Sequence, residues 1–201
     1  MQCNDVRLCG YLVENFKFHH DCGIRVFSSK IEVERKSGNK DILLLQIPEE
    51  RLEESENLEQ GDIVIVHGEI RTHTYVGKDS KIHNKNYIYV DKIQYSFYPY
   101  LENNATISGT LVKKRNLRIT PLGQRLVDTI IATKSNGGHQ DAYIPVIFWN
   151  ETAKDMFDNY NVGDNITVKG RLQSRDYLKR LPDGSSIIRT TFEVSTFKLI
   201  L

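Results

Sequence analysis

The stretch QGDIVIVHGEIRTHTYV, beginning at Gln60, is written a second time 102 residues later as VGDNITVKGRLQSRDYL. Both copies keep an opening Gly-Asp pair, apolar residues at alternate positions and a glycine in mid-run, and both carry a tyrosine near the end. The segments DVRLCGYLV and NATISGTLV repeat in the same way, with Gly10 and Gly109 lying 99 residues apart. Self-similarity at a fixed spacing marks repeated structural units. A chain of 201 residues has room for two small domains of this size and little else.

Alternation with period two identifies the repeated runs as strands. Each half reads in the same order. A glycine-bearing strand leads through a loop to IRVFSSKIEV or RLVDTIIAT, and then to the apolar strand DILLLQI or AYIPVIFW. A short helical stretch, the Gly-Asp strand and a closing hairpin ending in YIYVDKI or TFEVSTFKL complete the half. In NETAKDMFDNY, Ala153, Met156, Phe157 and Tyr160 recur at helical spacing, with Asn150 as the expected cap. Its counterpart PEERLEESENLEQ starts at Pro48 and offers only Leu52 and Leu58 for burial. The PDG at 182–184 is turn chemistry, which makes 170–200 a long hairpin.

Five strands with a helix between the third and fourth is the order of an OB barrel. The expected fold is therefore all-β: two tandem OB-fold (five-stranded Greek-key) barrels, residues 1–97 and 103–201, each with a short helix between strands 3 and 4. The connection SFYPYLENN is too short and too apolar for a free linker, so the halves are expected to pack together.

Several function classes find no support. No apolar run reaches membrane-spanning length and MQCNDVRLCG has no signal-peptide core, so a cytoplasmic, nucleoid-associated protein without a membrane partner is expected. The three cysteines, Cys3, Cys9 and Cys22, lack zinc-finger spacing. The six histidines form no metal motif, and the adjacent His19 and His20 should point to opposite sides of a strand. No Gly-rich phosphate loop or Ser/His/Asp arrangement is present. No cofactor, metal or enzymatic activity is expected.

Charge is distributed unevenly. Residues 1–100 carry 13 Lys and Arg against 16 Asp and Glu, whereas residues 101–201 carry 14 against 10. The excess lies on one strand face: in the second Gly-Asp strand Thr167, Lys169, Arg171, Gln173, Arg175 and Tyr177 share a side, opposite Ile166, Val168, Gly170 and Leu172. The first copy has Ile65, His67, Glu69, Arg71, His73 and Tyr75 there. In AYIPVIFWN, Ile144, Val146 and Phe148 form one face, and Tyr143, Pro145, Ile147 and Trp149 form a second apolar one. That second face needs a cover. Either it packs in the core or against the other half, or it is a platform on which bases stack while nearby cations follow the phosphates.

Those residues carry a resemblance. The segment from NATISGTLV through VGDNITVKGRLQSRDYL is similar to the bacterial single-stranded DNA-binding protein (SSB) family. It has the glycine-bearing first strand, the turn of Arg118, Thr120 and Gly123, the apolar strand ending in an aromatic, and the Gly-Asp strand with its Arg-x-Tyr end. The resemblance covers nearly all of residues 103–200. It implies sequence-independent binding of single-stranded DNA in replication, recombination or repair. Stacking falls on Tyr143, Trp149 and Tyr177, and phosphate contacts on Arg115, Arg118, Arg125, Arg171 and Arg175. Lys169 adds to the cationic face, and Lys179 and Arg180 lie on the hairpin expected to curl over it.

The first half departs from the pattern. ILLLQIPEE has no aromatic, and six glutamates between Glu49 and Glu59 would repel phosphate. A structural or oligomerisation role is expected for it, with only Tyr75, Arg71 and His73 left of a platform. Relatives with one barrel per chain are typically tetramers, which implies a homodimer here. The family's acidic C-terminal tail, which recruits replication proteins, is absent from FEVSTFKLIL, so no such recruitment is expected and a mobile-element, phage or primosomal relative is favoured. The competing function is a primosome-like adaptor that uses the aromatic face for protein contacts. RNA is a further candidate ligand, because discrimination rests on 2′-hydroxyl contacts that a sequence does not reveal.

Overall fold

The computed structural model describes residues 3–55, 57–77, 80, 82–134, 141–180 and 184–200, with the backbone alone at 177, 179 and 187–189. In chain order the elements are β1 (Asn4–Leu12), β2 (Lys17–Asp21), β3 (Arg25–Glu34), β4 (Lys40–Pro48), α1 (Glu49–Glu53), β5 (Ile63–Val76) and β6 (Ile82–Tyr95). The second half follows with β7 (Asn103–Lys114), β8 (Arg118–Ile119), β9 (Arg125–Lys134), β10 (Asp141–Trp149), α2 (Asn150–Asn159), β11 (Asn165–Arg180) and β12 (Ser186–Ile200).

Pairing closes two rings. β1 bonds β5 along most of its length and β3 at its end, while β4 runs parallel to β6. In the second ring β7 bonds β11 and then β9, and β10 runs parallel to β12. Each ring has the OB strand order, and the short strands β2 and β8 extend one edge of each.

The glycines of the repeat explain the closure. A Cβ at Gly10 would lie 2.2 Å from the Glu32 carbonyl oxygen, and one at Gly109 would lie 2.2 Å from that of Ala132. Each glycine sits where its strand leaves one neighbour and meets the next, so the backbones approach too closely for any side chain.

Apolar alternation fills the barrels. Val64, Val66 and Ile70 of β5 and Val168 and Leu172 of β11 are fully buried, as are Ile144, Val146 and Phe148 of β10. Both helices differ from expectation. α1 stops after five residues and buries none of them. Its glutamates repel one another, and the stretch has too little apolar surface to hold a longer helix. In α2, Trp149 and not Asn150 stands at the N-cap. The Thr152 hydroxyl donates to the Trp149 carbonyl at 2.8 Å, and Asn150, at φ +49°, accepts instead from the Arg125 amide. Ala153 and Met156 face the core, whereas Phe157 lies exposed beneath the Lys114 ammonium, 5.3 Å from its ring.

The barrels are joined by an internal two-fold. β1 and β7 pair antiparallel about Val6 and Ala105, matching Asn4 with Ile107 and Leu8 with Asn103. The side chain of Asn4 bridges the backbone of Ile70, and that of Asn103 bridges the backbone of Leu172. Further along the seam the Tyr143 amide donates to Thr72 Oγ1 at 2.9 Å, and the Ile42 amide donates to Ser174 Oγ at 3.3 Å. These contacts relate equivalent positions of the two repeats. One chain thus contains the self-complementary interface that separate copies of one unit would form.

Candidate nucleic-acid interface

Register fixes which residues share the outer face of the second barrel. Across β9 and β10, Asp128 stands opposite Ile147, Ile130 opposite Pro145 and Ala132 opposite Tyr143. Ile147 pairs with Ser195 of β12, and β12 in turn sets Ser195, Glu193 and Thr191 opposite Arg171, Gln173 and Arg175 of β11. The apolar and cationic faces read from the sequence are therefore one continuous surface.

That surface is partly open. Tyr143 is 38% exposed, Trp149 is half-buried and Ile147 is only 3% exposed. The indole N–H of Trp149 donates to Ser195 Oγ at 3.1 Å, which fixes the ring against β12. Tyr177 stands two positions beyond Arg175 on β11, and its side chain, like that of Lys179, lies outside the described atoms. Most of the PDG turn lies outside the described residues too.

A groove of about 200 Å³ crosses the face. Lys113, Arg115, Arg118 and Arg175 line it, together with Pro145 and Ile147. Asp128 and Glu193 line it as well. Asp128 accepts from Arg118 Nη2 at 2.9 Å, and Glu193 lies 3.4 Å from Arg175. Glu193 is 2% exposed and accepts from Gln173 Nε2 at 2.9 Å. Burial pushes its carboxyl above the ordinary range, while the Gln173 bond and Arg175 pull the other way. Arg118 and Arg175 are thus each held in place by a carboxylate.

The remaining basic residues are scattered. Arg125 is exposed and pairs with Glu151 at 3.1 Å, outside the groove. Lys169 and Arg180 are exposed on β11 beyond either end of the groove. Arg171 turns to the seam: its guanidinium is desolvated, is repelled by Arg35 and attracted by Asp41 of the first barrel, and its pKa is lowered. Its Nε is buried without a hydrogen-bond partner among the described residues. The expected phosphate role of Arg171 therefore does not match its surroundings. Reading one strand at a time could not reveal this, because the charges nearest Arg171, those of Arg35 and Asp41, come from the first barrel.

Lys113, Asp128 and Glu193 were missed. Asp128 was legible, since alternation along RLVDTIIAT puts it beside Ile130. Lys113 was not, because the register shifts between Leu111 and Lys113 and breaks the alternation. His19 and His20 fail for the same reason. A shift between Phe18 and His20 brings their Nδ1 atoms within 2.6 Å of each other, instead of on opposite sides. No group of three metal-ligating side chains forms among the described residues, and no helix there is long and apolar enough to cross a membrane.

In the first barrel the equivalent face is differently used. Arg71 donates to the fully buried Glu69 at 2.6 Å and lies 3.4 Å over the Tyr89 ring, so it is committed internally.

Comparison with known proteins follows this division. Residues 102–200 match the single-strand binding protein family. The single-stranded DNA-binding protein of Enterococcus faecalis is 27% identical over 103 residues, which is 49% of this chain and 54% of that protein. That of Streptococcus pneumoniae serotype 4 is 26% identical over 103 residues, 49% of this chain and 65% of the relative. The matched stretch thus spans about half the length of the Enterococcus protein. Among solved structures, the wild-type single-stranded DNA binding protein from Thermus aquaticus superposes with a TM-score of 0.75 over 99% of this chain and 92% of its own, at 19% identity. That likeness extends the two-barrel fold through both halves. The second barrel thus matches the single-strand binding protein family over residues 102–200, and the Thermus likeness extends the fold alone to the first barrel.

Proposed function

We propose that this chain binds single-stranded DNA without sequence preference, through the outer face of the second barrel. The observation that carries this reading is the placement of Tyr143, Pro145 and Trp149 on the same sheet face as Arg175, beside a groove lined by Lys113, Arg115 and Arg118. Any base offers a π-face to the aromatics, which makes stacking sequence-tolerant. The cations supply phosphate contacts, each releasing counterions. The first barrel serves mainly as the packing partner that holds the second.

The test uses the sole tryptophan. Titrating a deoxythymidine oligomer should quench Trp149 fluorescence, and the affinity should fall steeply between about 50 and 200 mM salt. Absence of quenching at low salt rejects the reading. Quenching by a partner protein, with no salt dependence, would favour the adaptor.

Glu193 makes the affinity pH-dependent. Its raised pKa means that it takes up a proton above the ordinary carboxylate range. Once neutral, it releases Arg175 and removes one negative charge from the groove. Oligomer affinity should therefore rise as pH falls from neutral through that window, and Glu193→Gln should bind at neutral pH as the wild type does in acid. The stability term has a matching sign: the folded state holds this proton more tightly than the unfolded chain, so the contribution shrinks as pH rises through the window. An affinity that is flat with pH in both proteins would rule out Glu193 as the gate.

A further inference from the structure

The stacking face begins on a strand edge that its own barrel does not cover. β9 pairs with β10 from Asp141 to Trp149, whereas β12 pairs with β10 on the other side at Val146 and Ile147, past Tyr143. The outward backbone groups of Tyr143 turn instead to the first barrel, where two side chains of the β5–β6 hairpin meet them. The Tyr143 amide donates to Thr72 Oγ1 at 2.9 Å, and the Thr72 hydroxyl donates to Asn86 Oδ1 at 2.7 Å. Asn86 Nδ2 then donates back to the Tyr143 carbonyl at 3.3 Å. Thr72 Oγ1 also lies 3.4 Å from that carbonyl, but its one hydrogen is used in the shorter bond to Asn86. The three bonds close a ring in which each polarises the next. Thr72 is 5% exposed, so water does not readily stand in for its hydroxyl.

The repeat provides an internal comparison. In the other half Ser174 takes the place of Thr72, and Ile42 that of Tyr143. Phe192 takes the place of Asn86, since Ser174 faces Phe192 across its hairpin as Thr72 faces Asn86. The Ile42 amide reaches Ser174 Oγ at 3.3 Å, but the Ser174 hydroxyl donates to Asp41 and Phe192 has no amide with which to close a ring. The closed ring is therefore built at the strand that carries the aromatic and not at its counterpart. In a strand the direction of a side chain is set by its own backbone, so fixing the amide and carbonyl of Tyr143 fixes where its ring leaves the sheet. We propose that Thr72 and Asn86 are positioning residues for single-stranded DNA binding, holding the Tyr143 backbone so that its ring is set to stack. Through them the first barrel acts as a brace. This rests on the function proposed above and gives a role to residues outside the family match.

The test uses Thr72→Val, which keeps the shape and removes the acceptor, and Thr72→Ser, which restores a hydroxyl. Affinity for a deoxythymidine oligomer should fall about three- to tenfold in Thr72→Val, the lower end of what a whole stack contributes, and return to within about twofold of wild type in Thr72→Ser. The salt dependence should match that of the wild type, because no phosphate contact is lost. Amide hydrogen exchange at Tyr143 should quicken in Thr72→Val with no ligand present. The deciding measurement repeats the substitution in a Tyr143→Ala background. A residue that acts through the ring then has nothing left to position, and affinity should change by less than about twofold. An equal loss in both backgrounds, or wild-type affinity in Thr72→Val, would overturn the proposal while leaving the second-barrel site standing. Should Thr72→Val fail to fold, Asn86→Ala at its half-buried position opens the same ring and is read by the same cycle. A wild type that binds no oligomer would remove the function itself and the positioning role with it, a result read separately from the exchange rate.

Discussion

Replacing Tyr143 and Trp149 together by alanine is expected to weaken deoxythymidine-oligomer binding by about 2–6 kcal/mol, since each base–aromatic stack contributes roughly 1–3 kcal/mol. The two residues are six positions apart on β10, a strand that rises about 3.3 Å per residue, so the rings address bases some 20 Å apart. At that separation their effects should add. Trp149→Phe separates stacking from packing: it keeps a ring but gives up the indole bond to Ser195. Retained affinity in the phenylalanine variant, with loss in the alanine variant, identifies the ring face as the binding element. A loss below about 1 kcal/mol in the double variant would make Tyr143 and Trp149 packing residues and take the stacking platform out of the mechanism.

Asp41→Ala should destabilise the fold by about 3–5 kcal/mol, the cost of removing one partner of a buried ion pair. Asp41 is fully buried and accepts from Arg35 Nε at 2.6 Å and Nη2 at 2.5 Å, and from the Ser174 amide at 2.6 Å across the barrel seam. Without it, Arg35 and Arg171 repel each other with no anion between them, and the Ser174 amide loses its acceptor. In a chain of 201 residues this corresponds to a fall of about 6–20 °C in thermal midpoint. Calorimetry of the purified variant reads this directly. A midpoint within about 2 °C of wild type would show that the carboxylate contributes nothing to the seam. Asp41→Asn, which keeps the shape and an acceptor but not the charge, should fall between the two.

Asp41 was not singled out by sequence reasoning, and the reason is instructive. It opens the strand DILLLQI, where it looks like a solvated strand end, and its counterpart in the repeat is Ala142. Only when the strands assemble does it face Ser174, 133 positions away. Glu193 is similar: within TFEVSTFKL it reads as an ordinary exposed residue, and it is buried by Gln173 and Arg175 of the neighbouring strand. The strand faces of β10 and β11, by contrast, were legible because they depend on nothing but alternation.

The repeat and its two-residue periodicity were sufficient to specify two barrels of one design and the side of each strand that turns inward. Both are consequences of local chain geometry, which near neighbours impose on one another. How the charges are used was settled by folding. Arg175 stays at the groove, Arg171 is desolvated at the seam beside Arg35 and Asp41, and Arg71 is taken up by Glu69, although all three alternate identically along their strands. Electrostatic energy depends on through-space distance and on burial, and those are created when residues remote in sequence are brought into contact.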